Sequence, residues 1–287
     1  MTYWFYRTMA ILPLSLKYAI AGVFVFFVQH IIRYRRSTVD SNLAKAFPDE
    51  SLRWRQNIRS KFYRQFVDTA METFHGWRIS ESELRERMTL SGWEALAVES
   101  SGELPPGIIL TAHHANWEWL MQRASLEVAA PLDAVYKPLH DKGADRFALE
   151  TRGRWGGTLV TMKAAPRHVL KHRRHPRVLA LLADQSPGKR ESVHWTTFMN
   201  QPTGFFMGPA TLAKLTGHPV YFARSFRTQQ GRYHVTLELL FDDPANITEA
   251  DIVERYVRCV EETIKAQPES YLWSNRRWKR SPPDTAN

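Results

Sequence analysis

The residues of this chain whose types and spacing suit acid–base chemistry are the run His113-His114-Ala115-Asn116-Trp117-Glu118. Histidine takes up and returns protons near neutral pH because its ordinary pKa is about 6.5. Positioned proton transfer by such a base is worth roughly 10²–10⁴ in rate. A carboxylate beside it fixes which ring nitrogen carries the proton and stabilises the imidazolium. Glu118 is the carboxylate nearest in sequence. Spacing leaves the two histidines in competition. On one continuous helix five residues turn through about 500°, which leaves His113 and Glu118 roughly 140° apart. If the chain folds back between a strand and a helix, that objection disappears and His113 meets Glu118. If the helix begins two or three residues earlier, His114 faces Glu118 instead. The plainer reading is a pair of capping histidines beside a helix-surface glutamate.

No Gly-x-Ser-x-Gly is present, and no cysteine lies near either histidine. A base with a carboxylate and no nucleophile motif points to direct transfer, in which an incoming hydroxyl is deprotonated and attacks an activated acyl group. The oxyanion that forms needs a donor. Arg152 and Arg154, in Thr151-Arg152-Gly153-Arg154, and the amides near Gly208 are the candidates, although helix-surface arginines are the plainer reading. A metal site is disfavoured, because there is no His-Glu-x-x-His and no cysteine pair. Neither a Gly-x-Gly-x-x-Gly nor a phosphate-binding loop supports a nucleotide cofactor, so no cofactor is expected.

These side chains need a frame. Ile108 to Ala112 is an apolar, β-branched-rich run behind Pro105-Pro106-Gly107, which suits a strand buried on both faces. Asn116 reads as the N-cap of a helix from Trp117 to Val128. A second all-apolar strand, Val178 to Ala183, runs into Asp184-Gln185. In open α/β sheets ligands bind beyond the carboxyl ends of the strands. If the two strands are parallel neighbours, His113, Glu118 and Asp184 converge on one crevice. Asp184 is otherwise a turn-former before Pro187-Gly188. Further strands at Asp133–Tyr136, Thr158–Met162, His218–Ala223 and Tyr233–Phe241 alternate with helices at Asp141–Arg154, Ala165–Lys171, Gly208–Thr216 and Thr248–Ala266. Upstream, helices are expected at Ser37–Ala46, from Asp49 or Ser51 to about Phe74, and at Ser80–Met88. The expected fold class is α/β, with a mixed, largely parallel sheet flanked by helices.

The chain has 287 residues, a net charge of +10 and one cysteine, Cys259, so it can form no internal disulfide. The basic excess favours an anionic partner: a membrane surface, a phosphorylated lipid, an acidic carrier protein or nucleic acid. Ten tryptophans fit an aromatic-rich core or a membrane interface. Residues 9–32 are the candidate membrane segment, long enough for a hydrocarbon core of about 30 Å. Crossing would put Lys17 near the middle, at roughly 2.5–3.5 kcal/mol unless it snorkels. A helix lying in the interface avoids that cost. No small-x-small site follows Val28, and Arg33, Tyr34, Arg35 and Arg36 do, which disfavours a signal peptide and favours an anchor, crossing or half-embedded. Residues 1–36 are thus read as the anchor and 37–287 as one cytoplasmic domain. Clustered arginine and tryptophan also allow a nucleic-acid-binding protein, but the membrane segment argues against it.

Thr111-Ala112-His113-His114-Ala115-Asn116-Trp117-Glu118 resembles the His-x-x-x-x-Glu block of the late acyltransferases of lipid A biosynthesis, the lauroyl/myristoyl acyltransferase family, within the glycerolipid-acyltransferase superfamily. The resemblance covers nearly the whole chain. Tyr34-Arg35-Arg36, Asn42-Leu43 and Ala46-Phe47-Pro48 resemble its first blocks. Val135-Tyr136-Lys137-Pro138-Leu139 and Thr151-Arg152-Gly153-Arg154 resemble the middle. Ala183-Asp184-Gln185-Ser186-Pro187-Gly188, Pro202-Thr203-Gly204-Phe205-Phe206 and Trp273-Ser274-Asn275-Arg276-Arg277-Trp278-Lys279 resemble the later ones. It implies a glycerolipid-acyltransferase-like fold and acyl transfer from acyl carrier protein to a lipid hydroxyl, usually on a phosphorylated glycolipid that is a lipid A precursor. Related proteins acylate other lipids, so a lysophospholipid, an aminolipid or another specialised lipid is the alternative acceptor. The resemblance singles out His113 as base and Glu118 as its partner; Arg152, as an oxyanion donor, and Asp184, at the end of the second strand, join them in the candidate catalytic group. Asn116, Lys137, Arg154, Gln185 and Gly208 become candidate substrate contacts. It implies work at the cytoplasmic face of a bacterial inner membrane, without a metal and without nucleic acid. Two positions depart from the family's habit: His114 stands where an aromatic or other residue is usual, and Ala115 where glycine is common.

Overall fold

A computed structural model describes residues 1–98, 102–188 and 191–282. Its centre is a seven-stranded sheet. The strands in chain order are β1 (Met88–Ser91), β2 (Gly107–Thr111), β3 (Leu132–Tyr136), β4 (Thr158–Thr161), β5 (Val178–Leu182), β8 (Val220–Gln229) and β9 (Arg232–Phe241), in the spatial order β1-β9-β8-β2-β5-β3-β4. A separate hairpin is formed by β6 (Val193–Phe198) and β7 (Gln201–Phe206). From β8 to β4 every neighbouring pair is parallel, while β9 returns antiparallel to β8. The fold is therefore α/β with a mixed, largely parallel sheet. All five residues of β2 are buried. This is why the strand reads as an unbroken apolar run and not as an alternation: helices cover both of its faces.

The pairing of β2 with β5 is in step from Gly107↔Val178 to Thr111↔Leu182. His113 and Asp184 each lie two residues beyond the last pair, so the parallel register delivers them side by side. The helices that flank the sheet start where the sequence marks them. Ser51 accepts from the Trp54 amide, Ser80 from Glu83, Asn116 from Trp119, Asp141 from Ala144 and Thr248 from Asp251. These open α4 (Leu52–Gly76), α5 (Glu81–Arg87), α6 (Trp117–Ser125), α7 (Lys142–Arg152) and α10 (Glu249–Ala266); α3 (Arg36–Ala46) precedes them, and α8 (Ala165–His172) and α9 (Gly208–Thr216) lie between α7 and α10. Each cap satisfies a backbone donor that would otherwise be orphaned.

Three parts of the architecture depart from the sequence expectation. Met88–Ser91 is a strand and not a helix end, because it pairs with β9 across the fold. The β6–β7 hairpin was not anticipated. β8 runs on to Gln229, well past Ala223, because β9 supplies it with a partner along that length.

The N-terminal segment consists of α1 (Thr2–Ile11), α2 (Leu14–Phe26) and a π-helical turn, Phe27–Ile31. One stretch, Leu14–Ile31, is long and apolar enough to cross a membrane. It nevertheless packs along α4, and the polar contacts show the two running antiparallel. The Tyr18 hydroxyl donates to Glu72 at 2.7 Å, Gln29 donates to the Ser60 hydroxyl at 2.7 Å, and the Tyr63 hydroxyl donates to the Tyr34 carbonyl at 2.7 Å. Lys17 is fully buried, its Nζ donating to the Ala10 carbonyl at 3.0 Å.

The largest buried cluster joins Phe222, Ile108, Leu110 and Leu181 of the sheet to Val257 and Val260 of α10 and to Phe62 and Val67 of α4. Phe222 has no exposed surface. Phe222→Ala should cost about 3–5 kcal/mol of unfolding free energy through lost burial plus cavity. Urea denaturation checks this; a loss below about 1 kcal/mol would mean that the sheet is not packed as described.

Candidate active site

After β2 the chain must turn to start α6, and the turn is fixed on every side. The Thr111 carbonyl accepts from the Tyr256 hydroxyl at 2.9 Å. The His114 amide donates to the Ala112 carbonyl at 2.8 Å. Ala115 then takes φ 55°, the left-handed region that most residues avoid. Its amide donates to Ser270 O at 2.9 Å, and Leu272 N donates to His113 O at 3.0 Å. The segment after α10 thus clasps the turn from outside. Asn116 closes it, capping α6 through Oδ1 with Trp119 N at 2.9 Å.

His113 projects from this turn onto Asp184. Its Nδ1 lies 2.7 Å from Asp184 Oδ1, and its backbone amide donates to Oδ2 at 3.1 Å. On the other side of the ring the Gln185 amide nitrogen lies 3.1 Å from Nε2. A carboxylate only accepts and an amide NH₂ only donates, so the two partners together select the tautomer with the proton on Nδ1 and a lone pair on Nε2. Trp117 packs edge-on to the imidazole, with ring centroids 5.2 Å apart. Asp184 is 1 % exposed. Burial alone would push its carboxyl up; the imidazole beside it and the bonds from His113 outweigh burial and hold it below its ordinary value.

Glu118 is placed differently from the sequence expectation. Both its oxygens are gripped by Arg152, with Nε to Oε2 at 2.8 Å and Nη2 to Oε1 at 2.6 Å. This is the planar fork that arginine offers a carboxylate. Burial opposes the charge on Glu118, but Arg152 first and His113 after it draw its carboxyl below the ordinary range. Glu118 is therefore near enough to His113 to feel its charge, while both of its oxygens are held by Arg152. The reason lies in the turn. Asp184 arrives at the imidazole by strand register, while Glu118 sits in the first turn of α6, facing the last turn of α7.

The other candidate residues divide. Gln185 meets the His113 ring, whereas Asn116, expected as a substrate contact, is fully buried with its side chain committed to the α6 cap and to Glu72, so it holds the turn and presents no group to a substrate. Lys137 is exposed just beyond the carboxyl end of β3. Gly208 is exposed at the start of α9, and since α9 leads back to the start of β8, that helix opens toward the same end of the sheet as His113. Arg154 is engaged elsewhere: its Nη1 donates to the Gly76 and Ile79 carbonyls, both at 2.9 Å, at the end of α4. His114 resolves the contest between the histidines. It is 2 % exposed, and its ring nitrogens lie 2.8 Å from the Ser225 carbonyl and 2.9 Å from the Gln267 carbonyl. Burial pulls its pKa below the ordinary value against the pull of those carbonyls. It ties β8 to the end of α10. Among the described residues no group of three or more His, Cys, Asp or Glu is placed to hold a metal ion.

A residue that sequence reasoning passed over is Glu72 of α4. It has no exposed surface, yet it receives Asn116 Nδ2 at 2.7 Å, the Tyr233 hydroxyl at 2.5 Å and the Tyr18 hydroxyl at 2.7 Å. Its backbone carbonyl accepts from Trp119 Nε1 at 2.8 Å. Burial pushes its carboxyl up, while the Tyr233 and Tyr18 hydroxyls pull it down in part. In the sequence it stands within a helical pattern of apolar residues, where an acid so placed is the one available signal. Beside the turn, Phe62 and Phe66 of α4 with Trp117, Tyr271 and Leu272, together with the polar Gln65, Thr69 and Glu269, line a shallow recess with room for about one water.

A half-buried imidazole hydrogen-bonded to a buried carboxylate at the carboxyl end of a parallel sheet has the parts that proton transfer in a group-transfer reaction needs. The family model described as bacterial lipid A biosynthesis acyltransferase matches residues 1–280, and the chain belongs to that family. It is accordingly an acyltransferase. A comparison with curated proteins found no match.

Two outcomes test the geometry of the turn. Ala115→Gly relieves about 1 kcal/mol of left-handed strain and loses a buried methyl worth about 0.8 kcal/mol, so its melting temperature should stay within a few degrees of wild type. Ala115→Val should be destabilised by more than about 2 kcal/mol, because a β-branched residue is an outlier at that φ. Equal stability of the two variants would show that residue 115 is not left-handed.

Proposed function

We propose that the enzyme transfers a fatty acyl group from an acyl carrier protein thioester to a hydroxyl of a phosphorylated glycolipid, a lipid A precursor, at the cytoplasmic face of a bacterial inner membrane. The observation that carries this reading is the polarised His113 ring, with Nδ1 on Asp184 and the Nε2 lone pair turned to an amide donor. The acceptor hydroxyl displaces the Gln185 amide and gives its proton to Nε2. Its oxygen forms the new bond to the thioester carbonyl carbon. The oxyanion collapses, the C–S bond breaks, and the thiolate leaves with the proton returned by the imidazolium. Asp184 holds the ring in the correct tautomer and stabilises the imidazolium, the role expected of Glu118 from sequence. Glu118 instead fixes the Arg152 guanidinium, whose remaining edge is left for the oxyanion or a lipid phosphate.

The family supports acyl transfer to a lipid-type acceptor. The +10 charge suits both an acidic carrier and a phosphorylated lipid. His113→Ala and Asp184→Asn should each lower kcat by roughly 10²–10⁴ in an assay of purified protein with acyl-loaded carrier and the glycolipid, with the fold retained by circular dichroism. Arg152→Lys should not restore what Arg152→Ala loses, because an ammonium cannot present the fork. Mass spectrometry of total lipids from a strain lacking the gene should show the glycolipid one acyl chain short; an unchanged glycolipid with an altered phospholipid would transfer the activity to another acceptor.

Acid titration gives a further check. The folded-state values of Asp184 and Glu118 lie below their ordinary ones. Their contribution to stability is therefore complete above the unfolded carboxylate range, at about pH 4, and is lost as pH falls through the depressed folded values. Unfolding free energy measured from about pH 6 to pH 2 should fall less steeply in Asp184→Asn and Glu118→Gln than in wild type.

A further inference from the structure

Residues 1–39 contain Arg7, Lys17, Arg33, Arg35 and Arg36 and no acidic residue. In the fold this segment leaves many of its large apolar side chains exposed. Trp4, Phe5 and Ile11 of α1, Val23 and Phe24 of α2, and Phe27 of the π-helical turn are all exposed. Exposed apolar area of this extent, bordered by cations, marks an interaction surface. Arg33 and Arg35 at one end of the segment, and Lys61 and Arg64 on the neighbouring helix α4, are exposed around it. An apolar strip with a cationic rim is complementary to an anionic lipid surface.

By length and composition Leu14–Ile31 could cross the bilayer. Its inner face forbids the separation that crossing needs. At one end Tyr18 donates to Glu72, which also holds the N-cap Asn116 of the catalytic turn. In the middle Gly22 passes beside the Arg64 guanidinium. At the other end Gln29 donates to Ser60, and the Tyr34 carbonyl accepts from Tyr63. To span, α2 would either break these ties or carry Ser60 to Glu72 of α4 into the hydrocarbon with it. That stretch includes Lys61, Arg64 and Asp68, and Asp68 is buried against Arg227 of β8 at 2.6 Å.

The geometry points to a lipid-docking face that lies in the plane of one leaflet and does not cross: the outer sides of α1, α2 and the π-helical turn enter the anionic headgroup and upper acyl region, while their inner sides stay on α4. The face is independent of the transfer chemistry, and a failure of either reading leaves the other standing. On this placement both ends of α2 remain on the cytoplasmic side, and the buried Glu72 contact puts the membrane plane at a fixed offset from His113.

Single-cysteine labelling tests it, because Cys259 is buried. Thr8→Cys and Ser37→Cys lie at exposed positions on either side of the apolar stretch. An impermeant maleimide is applied to right-side-out spheroplasts and to inverted inner-membrane vesicles, with reactivity normalised to detergent-solubilised protein. The result expected is that Ser37→Cys is labelled in inverted vesicles and not in spheroplasts, while Thr8→Cys, which lies between Trp4 and Ile11 on the docked side of α1, reacts fully only after solubilisation and never from the outside. Labelling of Thr8→Cys in spheroplasts would overturn the proposal. In parallel, Arg33→Glu/Arg35→Glu should weaken binding of the purified chain to phosphatidylglycerol vesicles by about tenfold or more at low salt, with little change on phosphatidylcholine. Phe24→Asp/Phe27→Asp should abolish binding to both. Full vesicle binding by the Phe24→Asp/Phe27→Asp variant would show that this face does not meet lipid.

Discussion

The site depends on one backbone constraint, the parallel pairing of β2 with β5 in step from Gly107↔Val178. Neither His113 nor Asp184 is reached by a flexible loop. Each is the second residue past the end of a buried strand, and the hydrogen-bond ladder sets their separation before any side chain is considered. A slip of one residue in either strand would also reverse which face each side chain occupies, so the His–Asp contact and the burial of Ile108, Leu110 and Leu181 stand or fall together. Catalytic geometry and core packing are the same event here.

The second support is polar and buried. The turn that carries His113 is pinned by backbone bonds to Ser270 and Leu272 and by the Asn116 cap, and the cap is itself held by Glu72. Tyr18 and Tyr233 complete the set, so a single carboxylate joins the N-terminal segment, the long helix α4, strand β9 and the catalytic turn. Such a network is costly unless every member is satisfied. Its return is a turn that the left-handed Ala115 could not hold unaided.

Much of this was legible in the sequence. The apolar runs before His113 and Asp184 marked the two strands, the capping residues marked the helices, and the convergence of His113, Glu118 and Asp184 needed only that the strands be neighbours. What was not legible depended on contacts between distant segments. β1 exists because β9 is there to pair with it. The division of labour between Asp184 and Glu118 could not be read from spacing, because the competitor for Glu118 is Arg152 on another helix. Glu72 carries only a faint signal, an acid within the apolar pattern of α4, because its partners Tyr18, Asn116 and Tyr233 come from distant segments. His114, competing with His113 on spacing, is separated from it by burial and by two carbonyls contributed by β8 and α10.

The Gln185 amide at His113 Nε2 has a further consequence. A base with an open lone pair beside an activated acyl group would serve water as readily as a lipid hydroxyl, and each such event would waste a loaded donor. On the proposed reading, that lone pair is capped at rest. Only an acceptor that brings enough binding energy to displace the amide uncovers it. The resting hydrogen bond then works against hydrolysis of the loaded donor while it holds the base in place.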